Sequence, residues 1–221
     1  GHNGIVCADG SADGLTRTLS GGTWSYNRAL VSGSWQTTVV TPASDNTVIQ
    51  FQKDSATGDA ATYNFYETQR QTYQGASTLL QTTVTCYNSN TSACTTTPVS
   101  SPILQRSVTL QYPNGGLQSQ TATTYVGGLP SVIDQYGFGR APGALIRKTS
   151  ITYANLGSVQ DRISSILTAD GQGNTTSNTS YAYDEYSSYP LQTTSGTPQH
   201  VAVTGSRGNL TSVTMSTVSS G

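Results

Sequence analysis

Polar and apolar residues exchange every second position along much of this chain, and helical periodicity is hard to find anywhere. In Leu79-Leu80-Gln81-Thr82-Thr83-Val84-Thr85-Cys86 the even positions supply the apolar face, and Leu104, Val108, Leu110 and Tyr112 repeat the pattern. Period-two runs predict further strands over 35–40, 47–52, 62–66, 118–126, 146–153, 162–168, 175–183 and 209–218. Turn signals lie between them: Thr57-Gly58-Asp59, Pro113-Asn114-Gly115-Gly116, Val126-Gly127-Gly128 and Asp170-Gly171-Gln172-Gly173-Asn174. Many strands at short spacing predict an all-β fold, a continuous antiparallel β-sheet of stacked hairpins with little or no helix.

Internal similarity is weak but present. Arg162-Ile163-Ser164-Ser165-Ile166 aligns with Asn209-Leu210-Thr211-Ser212-Val213, and Arg147-Lys148-Thr149-Ser150-Ile151-Thr152-Tyr153 is a looser third copy. A single hairpin of this kind exposes too much apolar surface to stand alone, so neighbours must stack against it. Residues 1–75 hold both tryptophans and no clear copy. They are expected to form an aromatic-containing β region, with the repeat-like sheet over 76–221.

Composition sharpens the β reading. Only 10% of residues are charged, against about 25% in ordinary domains. Thr, Ser, Gly, Gln and Asn fill the deficit, and 13 Tyr join the β-branched residues that suit a pleated surface. A net charge of −1 with scattered cations provides no basic stripe for nucleic acid. No apolar run is long enough for a membrane-spanning helix. The chain begins at Gly1 without Met and without a signal peptide, which suggests a processed or excised piece.

The segment Arg162–Asp184 reads as strand, Gly-rich turn, strand, ending on a Tyr-Asp pair. Ser180-Tyr181-Ala182-Tyr183-Asp184, Gly173-Asn174-Thr175-Thr176, Gly208-Asn209-Leu210-Thr211 and Asp161-Arg162-Ile163-Ser164 together resemble the repeats of the YD-repeat, or rearrangement-hotspot (Rhs), family. The resemblance covers residues 146–221 and, in degenerate form, 79–128. It implies a spiralling antiparallel wall in a secreted or cell-surface protein, bacterial in origin, where such shells often enclose a toxin. The repeat residues are Tyr181, Tyr183, Asp184, Gly171, Gly173 and Gly208. Tyr supplies a half-buried ring with a hydroxyl in search of a partner. The following Asp turns back onto backbone N–H groups, and Gly allows positive φ. After Asp184 the chain departs from the family pattern, with Glu185-Tyr186-Ser187-Ser188-Tyr189-Pro190 in place of Gly-Arg-Leu. The Asp-Pro-x-Gly processing motif of toxin carriers is also missing.

Chemistry-bearing residues are sparse. Cys86 and Cys94 flank a short loop, and as a disulfide they would add about 2–3 kcal/mol; the alternative is two separate buried thiols. Cys7 is left over. Zinc requires about four ligands, and only His2 and His200 stand by to help. Asp9-Gly10-Ser11-Ala12-Asp13-Gly14 opens like a Ca²⁺ loop, but Ser20 occupies the position that needs a bidentate Glu. Asp9 and Asp13 are therefore weak metal candidates beside a plain solvated turn. Gly137-Phe138-Gly139-Arg140-Ala141-Pro142-Gly143 lacks the helix a phosphate loop requires and reads as a strand connection. Acyl transfer has no nucleophile elbow. A glycosidase pair among Glu67, Asp134, Asp161, Asp184 and Glu185 would need opposed carboxylates, which sequence cannot bring together.

No catalytic residues, cofactor or metal are assigned. The expected function is a non-catalytic structural segment of an extracellular or cell-surface protein, acting as shell, scaffold or self-assembling β-protein. Its partners would be its own sheet edges or neighbouring parts of a larger parent chain, with no nucleic acid and no membrane insertion. The alternative is a carbohydrate-binding β-domain presenting Trp24, Trp35 and neighbouring tyrosines to glycans; a glycoside hydrolase stands behind it.

Overall fold

The computed structural model describes residues 14–55, 64–88, 93–190 and 205–217. These form one open sheet of thirteen strands in which each strand pairs antiparallel with its sequence neighbours. The strands are β1 (Gly14–Leu19), β2 (Gly22–Val31), β3 (Ser34–Val40), β4 (Asn46–Lys53), β5 (Phe65–Gln74), β6 (Thr78–Tyr87) and β7 (Gln105–Gln111). They continue with β8 (Gln118–Val126), β9 (Leu129–Gly139), β10 (Leu145–Tyr153), β11 (Ile163–Asp170), β12 (Thr175–Tyr183) and β13 (Leu210–Thr217). The described residues contain no helix, hence none long and apolar enough to cross a membrane.

The expected all-β sheet of stacked hairpins is the observed architecture, and it continues across Gly75, where β5 pairs with β6. Pro113–Gly116, Gly127–Gly128 and Gly171–Asn174 lie in turns as expected, while Thr57–Asp59 lies outside the described residues. β1, β2 and β9 add strands that the alternation does not announce. The strand expected over 62–66 is instead β5, beginning at Phe65 and running through a polar stretch to Gln74. Gly137 and Gly139, read as part of a connection, belong to the end of β9.

Residues paired across an antiparallel ladder share a face, so the register sorts the side chains. One face carries Trp24, Tyr26, Trp35, Val39, Ile49 and Phe51, and further along Val108, Leu110, Ile133, Ile151, Ile166, Tyr181 and Val213. Across the other runs a cross-strand line from Ala29 through Gln36, Gln50, Gln69, Val84, Thr109 and Gln120 to Tyr136. We call these the aromatic and the amide face. The register places Val84 and Cys86 on the amide face, opposite to Val108 and Leu110. Cys86 pairs with Ser107, whereas Val108 pairs with Thr85. Threonines occupy both faces here, so alternation within a single strand does not determine which way it faces.

Little of this surface is buried. The buried apolar side chains among the described residues are Cys86, Cys94, Val99 and Ala169, with no Leu, Ile, Phe, Tyr, Trp or Met among them. The sheet is held by its ladders, by half-burial of cross-strand neighbours and by side chain-to-backbone hydrogen bonds. Domains ordinarily bury a sheet face against a second layer. This sheet, over its described residues, is a single layer.

Candidate functional site

The two margins of the sheet differ. Where odd-numbered strands end, the chain reverses in compact turns: 20–21, 41–45, 75–77, 112–117, 140–144 and 171–174. Where even-numbered strands end lie all the long excursions: 54–64, 88–104, 154–162 and 184–209. Loops carried by a rigid scaffold are where binding groups concentrate, so this second margin is where such groups are expected.

A recurring clasp holds three of its four excursions. The Tyr183 hydroxyl ends β12 by donating to the Ile163 carbonyl at the start of β11 (2.7 Å). The Tyr153 hydroxyl ends β10 by donating to the Pro130 carbonyl near the start of β9 (2.8 Å). The Tyr87 hydroxyl ends β6 by donating to the Glu67 carbonyl near the start of β5 (3.2 Å). The next residue's N–H then donates across the excursion: Asn88 to Gln105 O, Ala154 to Arg162 O, Asp184 to Asn209 O. Bulges at Thr152/Tyr153 and Ala182/Tyr183 re-aim two of these tyrosines.

The residue after the tyrosine varies with the length of the excursion. Ala154 precedes the short one. Asn88 and Asp184, both left-handed (φ 52° and 58°), precede the two long ones. Each reaches over to hold the amides where the chain returns. Asp184 Oδ2 accepts from Arg207 N (2.9 Å) and Gly208 N (3.0 Å), and Oδ1 from Asn209 N (3.0 Å) and the Tyr186 hydroxyl (2.7 Å). Asn88 Oδ1 accepts from Leu104 N (2.7 Å) and Gln105 N (3.2 Å), while its Nδ2 donates to the carbonyls of Ser100 (2.6 Å) and Pro102 (3.0 Å). Asx side chains tolerate the left-handed region and mimic a turn of backbone. Longer loops cost more entropy to close, and these bonds offset that cost.

The Tyr186 hydroxyl, with the three backbone amides, lowers the Asp184 carboxyl from its ordinary 3.8 to about 2. A depressed carboxyl stabilises fully above its unfolded value and loses that contribution as pH falls through the folded one. Amide protection at Arg207, Gly208 and Asn209 is therefore expected to fall between pH 4 and pH 2, as read by hydrogen exchange. An Asp184→Asn variant giving the same pH response would show that another group is responsible.

In the described part of the excursion 88–104, Cys94 and Val99 are buried. Cys86 and Cys94 are disulfide-bonded, with Cα atoms 5.0 Å apart, so the pair expected from their spacing is present. Val99 N donates to Lys53 O (2.9 Å), and Ser55 N to Val99 O (2.8 Å). Gln52 Nε2 donates to Thr95 O (2.7 Å) and Ser34 Oγ (2.6 Å). The excursion is thus tied to β4 as well as to β6 and β7. On its aromatic-face side lies an open groove of about 560 Å³, bounded by Tyr87, Arg106, Tyr125, Pro102, Ile103 and Leu104.

The remaining candidates are placed as follows. Trp24 and Trp35 share the aromatic face and are half-buried. The Arg28 guanidinium stands over Trp35 (5.3 Å), Phe51 (5.5 Å) and Phe65 (5.2 Å), and burial lowers its pKa. The cation thus packs among the Trp35, Phe51 and Phe65 rings. Tyr181 lies on the same face opposite Val213. Gly171 and Gly173 form the β11–β12 turn, where Asp170 Oδ1 accepts from Gln172 N (3.0 Å) and Asn174 N (2.8 Å). Gly208 (φ 68°) packs against Arg162 and Val159. Asp9, Asp13, Cys7, His2 and His200 lie outside the described residues.

Of the acids considered for hydrolysis, four are occupied singly, while Asp134 keeps a buried Oδ1 without a hydrogen-bond partner. Glu67 is paired with Arg70 (2.7 Å) and Asp161 with Arg162 (2.9 Å). Glu185 Oε2 accepts from Thr211 and Ser212 hydroxyls, and Asp184 is held by amides. Among the described residues no three His, Cys, Asp or Glu side chains gather as a metal site would require. Comparisons with protein-family models, curated proteins and solved structures find no match to this chain.

Proposed function

We infer that this chain is a non-catalytic wall segment, a length of sheet made to continue into further sheet at its β1 and β13 edges and to be covered on its aromatic face. The observation that carries this reading is that both edge strands bear exposed apolar residues, which also stand on inner strands and turns, as at Leu30, Leu80, Val126, Phe138 and Ile146. Leu15 and Leu19 on β1, with Leu210, Val213 and Met215 on β13, are about half exposed or more, on strands with an edge left unpaired among the described residues. Unpaired edges recruit other strands, and an apolar margin gives an added strand something to cover. The Tyr–Asx clasps at 87–88 and 183–184 support kinship in design with YD-repeat walls, which spiral rather than close in one layer. The Cys86–Cys94 disulfide is consistent with an oxidising, extracellular setting.

Sedimentation velocity over a range of protein concentrations tests this reading, with electron microscopy of the same samples. Association that grows with concentration is expected, reduced by Met215→Lys, which places a charge on the apolar side of the β13 edge. A compact monomer at every concentration, unaffected by the substitution, would sink the edge-pairing reading.

A further inference from the structure

We propose that the groove between Tyr87, Arg106 and Tyr125 binds a glycan bearing a carboxylate, such as a uronic acid unit. These side chains come from three adjacent strands, β6, β7 and β8, on the aromatic face at the margin that carries the excursions. Their setting is built rather than incidental. Tyr87 is fixed by its bond to Glu67 O and by contact with the Tyr66 ring at 5.2 Å. The opposite wall, through Pro102, Ile103 and Leu104, is held by all four hydrogen bonds of the Asn88 side chain and by Tyr125 N donating to Leu104 O (2.8 Å). A volume of about 560 Å³ falls within the range of small-ligand sites, which are mostly apolar with a few fixed polar groups.

The chemistry of the lining selects the ligand. Arg106 is exposed and forms no ion pair among the described residues, and no Asp or Glu lines the groove. Arg106 pairs directly with Tyr87 across the β6–β7 ladder, and both line the groove. A guanidinium fork matches a carboxylate, and tyrosine rings offer flat apolar faces with a polar tip for a sugar. An extended peptide fits less well. The backbone groups of β6, β7 and β8 are already paired on both sides, leaving no edge for strand addition. A single cation also falls short of what a nucleic acid backbone requires. The groove is mid-sheet, so this proposal stands apart from assembly at the edges.

Titration calorimetry of the whole chain with α-1,4-linked trigalacturonate and with neutral galactotriose tests it, alongside an acidic tetrapeptide. Trigalacturonate is expected to bind at least about tenfold more tightly than the neutral sugar, and Arg106→Gln to abolish that difference. Tyr125→Ala should weaken both sugars, and Tyr125→Phe should restore the stacking part. Equal binding of trigalacturonate by wild type and Arg106→Gln, no binding by the wild type, or tighter binding of the tetrapeptide would each overturn the assignment.

Discussion

Replacing Gly171 by alanine is expected to cost about 3 kcal/mol of stability, against about 1 kcal/mol for Gly173→Ala only two positions away. The two glycines serve the same β11–β12 turn for different reasons. A Cβ on Gly171 would run into the Leu145 carbonyl oxygen and also stand 2.9 Å from its carbon. Both atoms are backbone at the first residue of β10, and Leu145 is paired with Tyr136 on β9. The clash cannot be relieved by turning a side chain, so three strands must shift. Gly173 has φ 90° with nothing within 4 Å of its Cβ direction, so its substitution costs only left-handed strain. Denaturant midpoints of the two variants should differ accordingly, with amide protection in β10 falling for Gly171→Ala alone. A milder effect at Gly171 than at Gly173 would mean the turn can move away from β10 freely.

Turns were the most legible part of the sequence, because Gly, Asn, Asp and Pro there have specific backbone work to do. Strands with alternating residues at 118–126 and 175–183 were legible for the same local reason. β9 was not. The two glycines after Tyr136 read as a connection, and Pro130 sits beside the register shift at Thr124/Tyr125, where a missing N–H is tolerated. Most of β5 was obscured because Glu67-Thr68-Gln69-Arg70-Gln71-Thr72 is polar on both faces. Face assignment also exceeded what one strand can show. Thr83 and Thr85 accompany Leu110 and Val108, and only the register from strand to strand separates the aromatic face from the amide face.

The candidate site was half legible. Cys86 and Cys94 announced a closed loop, and Tyr183-Asp184 announced a strand ending that turns back on the backbone. Tyr87-Asn88 carries the same signal, a Tyr followed by an Asx at the end of a Thr-rich strand. Its significance appears only when the two long excursions are seen on one margin. The groove was not legible at all, since Tyr87, Arg106 and Tyr125 are ordinary strand residues until the sheet aligns them. Their common feature is topological: in an antiparallel meander, even-numbered strands all end at the same margin. Any insertion after such a strand therefore lands beside the others.

Asn88→Ala is expected to remove about 2–3 kcal/mol from the local stability of the 88–104 excursion. Left-handed strain on alanine contributes about 1 kcal/mol. The rest comes from four hydrogen bonds at about 0.5–1.5 kcal/mol each, discounted because the side chain is half exposed. Asn88→Gly keeps the backbone conformation and loses only the bonds, so it should fall between wild type and alanine. Asn88→Asp keeps an acceptor for Leu104 N and Gln105 N but sets an oxygen against the Ser100 and Pro102 carbonyls. It should release 100–102 while holding 104–105. Reducing the Cys86–Cys94 disulfide removes a constraint worth about 2–3 kcal/mol on its own. The clasp and the disulfide close overlapping parts of one excursion, so their losses should not add simply. With both gone, the ties that remain include backbone bonds from Val99 to Lys53 and Ser55, the Gln52 bond to Thr95, Tyr66 with Ser101, and Tyr125 N with Leu104 O. Those are expected to open together, and hydrogen exchange at Val99, Leu104 and Gln105 reads the sequence of loss. Unchanged protection at Val99 after both changes would show that β4 alone holds the excursion, and that Asn88 governs only where the chain enters β7.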